Sequence, residues 1–320
     1  MEELAALPLP LGEWLDVLER DYLDRFVPEG GGTLKLAIAD DALIPSALAR
    51  LDALALRHRL HAVRLDAATT RLHMLQDVFF ALARALPWPE LVQQYLERLF
   101  AANGYPWPRP AARLSLADLA DAFAVAPSLL ARERDRWLSR DIWGDRRLAQ
   151  DFRAALLRLC LVQMEPDDPA AADPVLGWLR GDKVPANLLR AAGISGRITR
   201  TNARAMLVSL CHWMRRSGTA GLLVAIDLRQ LQRTGVAIAE GTLRYSPAAV
   251  MDTYEVLREI IDDAEHLPGL VVMVLANDAL IAGEPRRALS QYAALQMRVW
   301  PDVRPGDRQN PVAPLVWVSA

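Results

Sequence analysis

Five short apolar runs, rich in β-branched residues and set in an otherwise helical sequence, constrain this chain more than any other feature. They are LKLAIA (34–39), AVRLDA (62–67), GLLVAIDL (221–228), GLVVMVLA (269–276) and APLVWVSA (313–320). A sheet with one wet face alternates apolar and polar residues along each strand. A parallel sheet covered on both faces instead reads as near-continuous apolar runs. Glycines at 32, 221 and 269 bound three of the runs and favour strands over buried helix segments. The pattern predicts an α/β fold around a five-stranded, mostly parallel sheet.

Between the second and third runs the strand signal vanishes. Leu72, Leu75, Val78, Phe79 and Leu82 recur at helical spacing. A proline- and aromatic-rich loop follows (GYPWPRPAAR, 104–113), and then Ser115-Leu-Ala-Asp reads as a capped helix start. Helical patterns continue to an acidic, proline-rich connector (EPDDPAAADP, 165–174), and a last helix is capped at Thr201 or Asn202 and ends at Gly218. The expected organisation is a first part of the α/β core with an N-terminal helix (1–71), a large helical insertion between strands two and three (72–200), and the second part of the core (201–320).

Composition excludes several classes. With 52% hydrophobic and 24% charged residues and a formal net charge of −2, there is no overall basic excess to advertise nucleic acid. Cys160 and Cys211 lack metal-ligand or redox spacing and read as reduced, buried thiols. The N-terminus is acidic and broken by prolines, unlike a signal peptide, and no apolar run reaches bilayer-spanning length. A soluble, cytoplasmic protein that makes no membrane contact is expected. His58 and His61, three apart, have no Cys, Asp or Glu with them at ligand spacing, so no metal site is expected, and the nine tryptophans read as gap fillers between helices.

The turn after the first run carries the most chemistry. LKLAIADDALIPSALAR reads as the strand, loop and helix that grip a nucleotide's phosphates, without the residues that grip. In G-x-x-x-x-G-K-[ST], glycines let backbone N–H groups approach the phosphates, lysine neutralises them and the hydroxyl holds magnesium. Here Ala39, Asp40, Asp41, Ala42, Leu43, Ile44, Pro45 and Ser46 fill the eight positions, and the hydroxyl alone is kept. Two carboxylates face the place of the polyphosphate, and Pro45 removes both the lysine and an amide donor. The third run ends in Asp227, where a magnesium-orienting carboxylate belongs, but Leu228 follows where a water-polarising glutamate would stand. An Asp at a strand end is, taken alone, more often a turn or capping residue.

Three arginines and one basic stretch complete the candidates. Arg286 and Arg287 follow the fourth run, where a helix could present an arginine to a neighbouring subunit's nucleotide, and Arg298 is a further charge partner. Solvated helix-start arginines are the plainer reading. Arg180, Lys183, Arg190, Arg197, Arg200 and Arg204 form the densest basic stretch: either a phosphate-contacting face for nucleic acid or a solvated, salt-bridged surface.

Together, DYLDRFVPEGGGTLKLAIAD (21–40), ALARALPWP (81–89), WLRGDKVP (178–185), GISGRITRTNARAMLVSL (193–210), GLLVAIDL (221–228) and GEPRRALSQYAALQMR (283–298) resemble the ATP-binding proteins of BREX-type bacteriophage-defence systems. The similarity is strongest to the BrxD-like ATPases of the P-loop, AAA+-like class. In that family the strand after the glycine pair runs into G-x-x-G-S-G-K-T and a helix. ADDALIPSALAR aligns without a gap, so Ala39, Ala42 and Ile44 stand for the glycines and Pro45 for the lysine. The resemblance implies an AAA+-like core, and a C-terminal helical lid would follow the last strand, where this sequence ends. With phosphate loop, glutamate and lid all departing from the pattern, the expectation is a non-catalytic, ATPase-like subunit without cofactor. It would work by binding an active ATPase, a helicase or another defence subunit in a homo- or hetero-oligomer. A DNA-binding adaptor and a weak nucleotide-binding regulator are the alternatives.

Overall fold

The computed structural model describes residues 7–108, 113–165, 169–233, 241–301 and 307–320. The loop of 104–113 and the connector of 165–174 lie partly outside the described residues; the connector's second half is helical, as a 3-10 turn (Pro169–Ala172) running into a helix (Asp173–Arg180). Two compact units emerge, one of Met1–Val78 with Ala220–Ala320, the other of Phe79–Thr219.

The first unit is an α/β layer structure. Its strands are β1 (Leu9–Pro10), β2 (Thr33–Ile38), β3 (Leu60–Asp66), β4 (Gly221–Asp227), β5 (Leu270–Ala276) and β6 (Leu315–Ser319), in the spatial order β1-β6-β2-β5-β4-β3 with every pairing parallel. The sheet has six strands, not the five expected. The addition, β1, is two residues long and carries Pro10, so it has no readable periodicity. Proline is tolerated because β1 is an edge strand.

Burial follows position in the sheet. Every residue of β4 and β5 is buried, whereas edge strand β3 alternates and turns Arg64 outward. Close packing at the start of β4 and β5 requires glycine. A Cβ on Gly221 (φ +144°) would lie 2.0 Å from the Gly269 carbonyl oxygen, and Gly269 itself sits at φ +76°. The helix Ile44–Arg57 buries Ile44, Ala47, Leu51, Leu54 and Ala55 in one core cluster with Ala37, Leu223, Met273 and Val316 of the sheet. The alternate strand residues Leu36, Val224, Val272 and Val274 are also buried, so both faces are covered.

Lys35 is an exception in this apolar sheet. It lies on β2, is 5% exposed, and donates to Tyr22 Oη at 2.6 Å and to the Val312 carbonyl. It thereby ties the π-type helix Leu18–Phe26 and the segment before β6 to a central strand.

The second unit is helical and aromatic-cored. Trp88 packs on Phe152 (centroids 6.3 Å apart) and Tyr95 on Trp213 (4.9 Å). Ser115 and Asp118 form the capping box read from the sequence. Cys160 and Cys211 are free and buried, and burial pushes the Cys211 thiol up to about 12.

Burial pushes Lys35 down to about 8 from the usual 10.5. Folding therefore favours its neutral form; the penalty is fully present below pH 8 and fades as pH rises through 10.5. That shift corresponds to about 3 kcal/mol at pH 7. Tyr22 Oη already reaches the Val312 carbonyl at 3.4 Å, so those groups keep a partner when the amine is removed. Lys35→Met is expected to raise the urea midpoint at pH 7, with the gain shrinking toward pH 10. An equal gain at both pH values would refute the assignment.

Candidate functional site

β2, β4 and β5 end level with one another, Ile38 opposite Ala276 and Asp227 opposite Leu275. Ala39 N donates to the Ala276 carbonyl and Leu228 N to the Leu275 carbonyl, both at 2.9 Å, so the ladder runs one residue further before the chains turn away. From β2 the chain crosses toward β3 at one edge; from β5 it crosses the opposite way to β6. Connections that part like this leave a crevice at the carboxyl ends of the strands, where open α/β sheets bind ligands.

Four polar side chains meet there. Arg229 grips both carboxylate oxygens of Asp227, with Nε at 3.0 and 3.1 Å and Nη2 at 2.7 Å, while its backbone N donates to Asp227 Oδ1 at 3.0 Å. Its Nη1 lies 3.3 Å from the Asp41 carbonyl oxygen and 3.7 Å from the Asp41 carboxylate. Asn277 Nδ2 donates to that carboxylate at 2.9 Å. One guanidinium and one amide thus link residues from the ends of β2, β4 and β5. The hydrogen bonds to Asp227, and then its charge, hold the Arg229 pKa above its ordinary value despite partial burial.

The loop from β2 is short and has no anion cradle. Leu43 N donates to the Asp40 carbonyl at 2.9 Å, closing a turn, and the helix begins at Ile44. Ile44 is 0% exposed, whereas Asp40, Asp41, Ala42, Pro45 and Ser46 are exposed and Ala39 is buried. None of residues 39–46 has a positive φ, the conformation that curls successive amides into an anion-binding nest. Leu228 is 1% exposed and packs inward.

The family model for the BREX system ATP-binding protein BrxC/D matches residues 142–319, more than half of the chain. The chain belongs to this family. No curated protein and no solved structure matches it. The BrxC/D match takes in Asp227, Arg229 and Asn277; the loop 39–46 lies outside it.

The remaining nominated residues of this BrxC/D-family chain are scattered. Arg286 and Arg287 lie in a turn between short helices, Ala279–Ala282 and Leu289–Gln291. Arg286 is exposed. Arg287 is 8% exposed, donates to the carbonyls of Leu231 (2.8 Å) and Tyr245 (2.7 Å), and pairs with Glu284, holding three segments together. Arg298 pairs with Asp262 across to the helix Pro247–Asp262. In the helical unit, Arg180 is half-buried, and Lys183, Arg190, Arg197, Arg200 and Arg204 are exposed. Among the described residues, no helix is long and apolar enough to cross a membrane and no cluster of three His, Cys, Asp or Glu could hold a metal.

Sequence reading missed the role of Arg229. The available signal was its position two residues after a strand-end aspartate, which lets one carboxylate take both the backbone N–H and the guanidinium. Arg229→Ala is expected to cost about 1–3 kcal/mol in urea denaturation by leaving the buried Asp227 carboxylate short of hydrogen-bond partners. Combining it with Asp227→Asn should recover part of that loss. Purely additive effects in the cycle would show that the pair is not coupled.

Proposed function

We propose that this BrxC/D-family chain is a non-hydrolysing, ATPase-like subunit of a bacterial anti-phage defence complex, built on a degenerate P-loop, AAA+-like core and acting through protein contacts as a scaffold or regulator. The observation that carries this reading is Arg229 seated between Asp227 and Asp41. The family is one of ATP-binding proteins, so the fit of a nucleotide to these residues is the decisive question.

The donor set does not fit a magnesium-bound polyphosphate at this loop. A metal-orienting aspartate needs a free oxygen, and both oxygens of Asp227 are taken by Arg229. A phosphate cradle needs close backbone approach and a cation. Here Ile44 is locked into the core, Pro45 has no N–H, and Asp41 adds negative charge. At an effective dielectric near 20, each like-charge pair at 4 Å costs about 4 kcal/mol, and Arg229 offsets this for one of the carboxylates at most. The buried Leu228 leaves no carboxylate next to Asp227 to polarise water.

A core that keeps its sheet and its covered faces while its crevice is filled suits a role in assembly. A partner subunit, whether an active ATPase, a helicase or another defence protein, would use the outer surface. Arg286, exposed in its turn, is the arginine of the nominated three best placed to reach a partner's nucleotide, since Arg287 and Arg298 are engaged within the chain.

Equilibrium binding of labelled ATP with magnesium to the purified chain is the direct test, and no saturable binding is expected up to millimolar nucleotide. Tight, magnesium-dependent binding with turnover would reject the proposal. The triple variant A42G/I44G/P45K, measured beside I44G alone, reports whether the scaffold still accepts phosphate. Because Ile44 is a fully buried anchor, I44G is expected to lose about 3 kcal/mol of stability by itself.

A further inference from the structure

One stretch of the helical unit carries positive charge that no carboxylate pairs. Elsewhere arginines are commonly ion-paired: Arg57 with Glu19, Arg136 with Glu133, Arg216 with Asp141 and Asp145, and Arg258 with Glu255. Residues 175–204 differ, with six basic residues against a single acid, Asp182. Among the described residues, Arg180, Lys183, Arg190, Arg197 and Arg200 make no ion pair. Paired arginines elsewhere show that this chain can supply carboxylates where a solvated face calls for them.

Asp151, on a neighbouring helix, is committed to Ser195 and Gly196. Its carboxylate accepts from Ser195 N (2.9 Å), Ser195 Oγ (2.8 Å) and Gly196 N (3.2 Å). Trp178 Nε1 donates to the Gly196 carbonyl at 2.8 Å. Asn202 accepts from Thr199 N (2.7 Å) and donates to the Arg197 carbonyl (3.1 Å). The segment bearing Arg197 is therefore fixed on both sides of that residue while its side chain stays exposed.

Arg197 and Lys183 come from separate loops and line one cavity of about 160 Å³. Phe80, Trp178, Leu189 and Ile198 form its apolar wall. Asp182 also lines it, with Oδ2 folded back to 3.6 Å from where a Gly177 Cβ would stand. The lining therefore has two cations against one carboxylate.

We propose that the helical unit binds the phosphate backbone of nucleic acid, with one phosphate seated at this cavity by Lys183 and Arg197 and the other cations of the stretch meeting neighbouring phosphates. A small anion would need one or two cations, not five spread over some twenty residues of sequence. A protein partner would call for an apolar interface centre, and Leu188, at 42% exposure, is the single large exposed apolar residue of the stretch. A polymer with a charge about every 1.7 Å matches an extended, unneutralised cationic surface. This inference is independent of the filled crevice, because the residues belong to the other unit.

The test is fluorescence anisotropy with the full chain and 30-nucleotide probes of duplex DNA, single-stranded DNA and RNA, from 50 to 250 mM salt. Binding should weaken steeply with salt, and the tightest probe names the strand type. K183E/R197E should lower affinity at least tenfold at 50 mM salt and reduce the salt slope by about 2. The conservative exchange K183R/R197K should stay within about threefold of the unaltered chain, since phosphate contacts read charge more than shape. R136E, the same kind of charge reversal at a paired arginine, should also stay within threefold. R200Q is the fallback if the double reversal perturbs folding by circular dichroism, with a loss of about threefold expected. Absence of binding to all three probes at 50 mM salt, an R136E effect equal to that of K183E/R197E, or equal binding of poly-glutamate would overturn the proposal. Nucleotide binding, measured separately, reports only on the crevice.

Discussion

Two carboxylates brought together beyond the ends of β2 and β4, on either side of β5, need a cation, and Arg229 supplies it from within the chain. Parallel register makes this unavoidable: β2, β4 and β5 stop level with one another, so whatever follows them converges. With Asp227 buried and Asp41 close by, removing the guanidinium leaves an uncompensated charge in a poorly solvated place. A magnesium ion in such a place comes and goes with its ligand. A covalently attached arginine is present at effectively constant concentration and carries no anion with it. It also points its donors at the carboxylates that would otherwise orient a metal. Both carboxylates thus find their partners within the chain.

The loop beside it reinforces this. Ile44 stands where the phosphate-gripping pattern has glycine, and its side chain is fully buried between helix and sheet. Its burial contributes on the order of 2 kcal/mol, so the residue that spoils the cradle is also one that holds the fold. Restoring glycine there trades core packing for backbone freedom. Substitution of Ile44 therefore carries a cost in stability, whatever it does to the loop.

The sheet was legible because parallel strands buried on both faces read as near-continuous apolar runs, as β5 does throughout and β4 does up to Asp227. β1 was not, since two residues, one of them Pro10, carry no period. The inward turn of Leu228 follows from an apolar residue next to a strand end, but Arg229 could be assigned only once β2 and β4 were aligned. The contact between Asn277 and Asp41 joins residues 236 positions apart, beyond any local pattern. Arg287 looked like a solvated arginine and proves buried, because its partners are backbone carbonyls that leave no trace in side-chain sequence. Asp151 was likewise beyond local pattern: it caps the amides of Ser195 and Gly196, more than forty positions away.

The same residue type is therefore used in two opposed ways. In the α/β unit, Arg229 and Arg287 face inward and complete hydrogen bonding that the backbone and carboxylates leave open. In the basic stretch of the helical unit, Arg190, Arg197 and Arg200 face outward without an ion pair. A formal net charge of −2 conceals this, because the excess is local and the acids that balance it lie elsewhere in the sequence. At physiological ionic strength such a field decays within about 8 Å, so a nearly neutral chain gains little long-range steering from it. Whatever anion it meets must be held by direct contact, and that places the burden on fixed geometry. The hydrogen-bonded frame around Arg197, from Asp151 on one side and Asn202 on the other, supplies that geometry and lowers the ordering cost of binding.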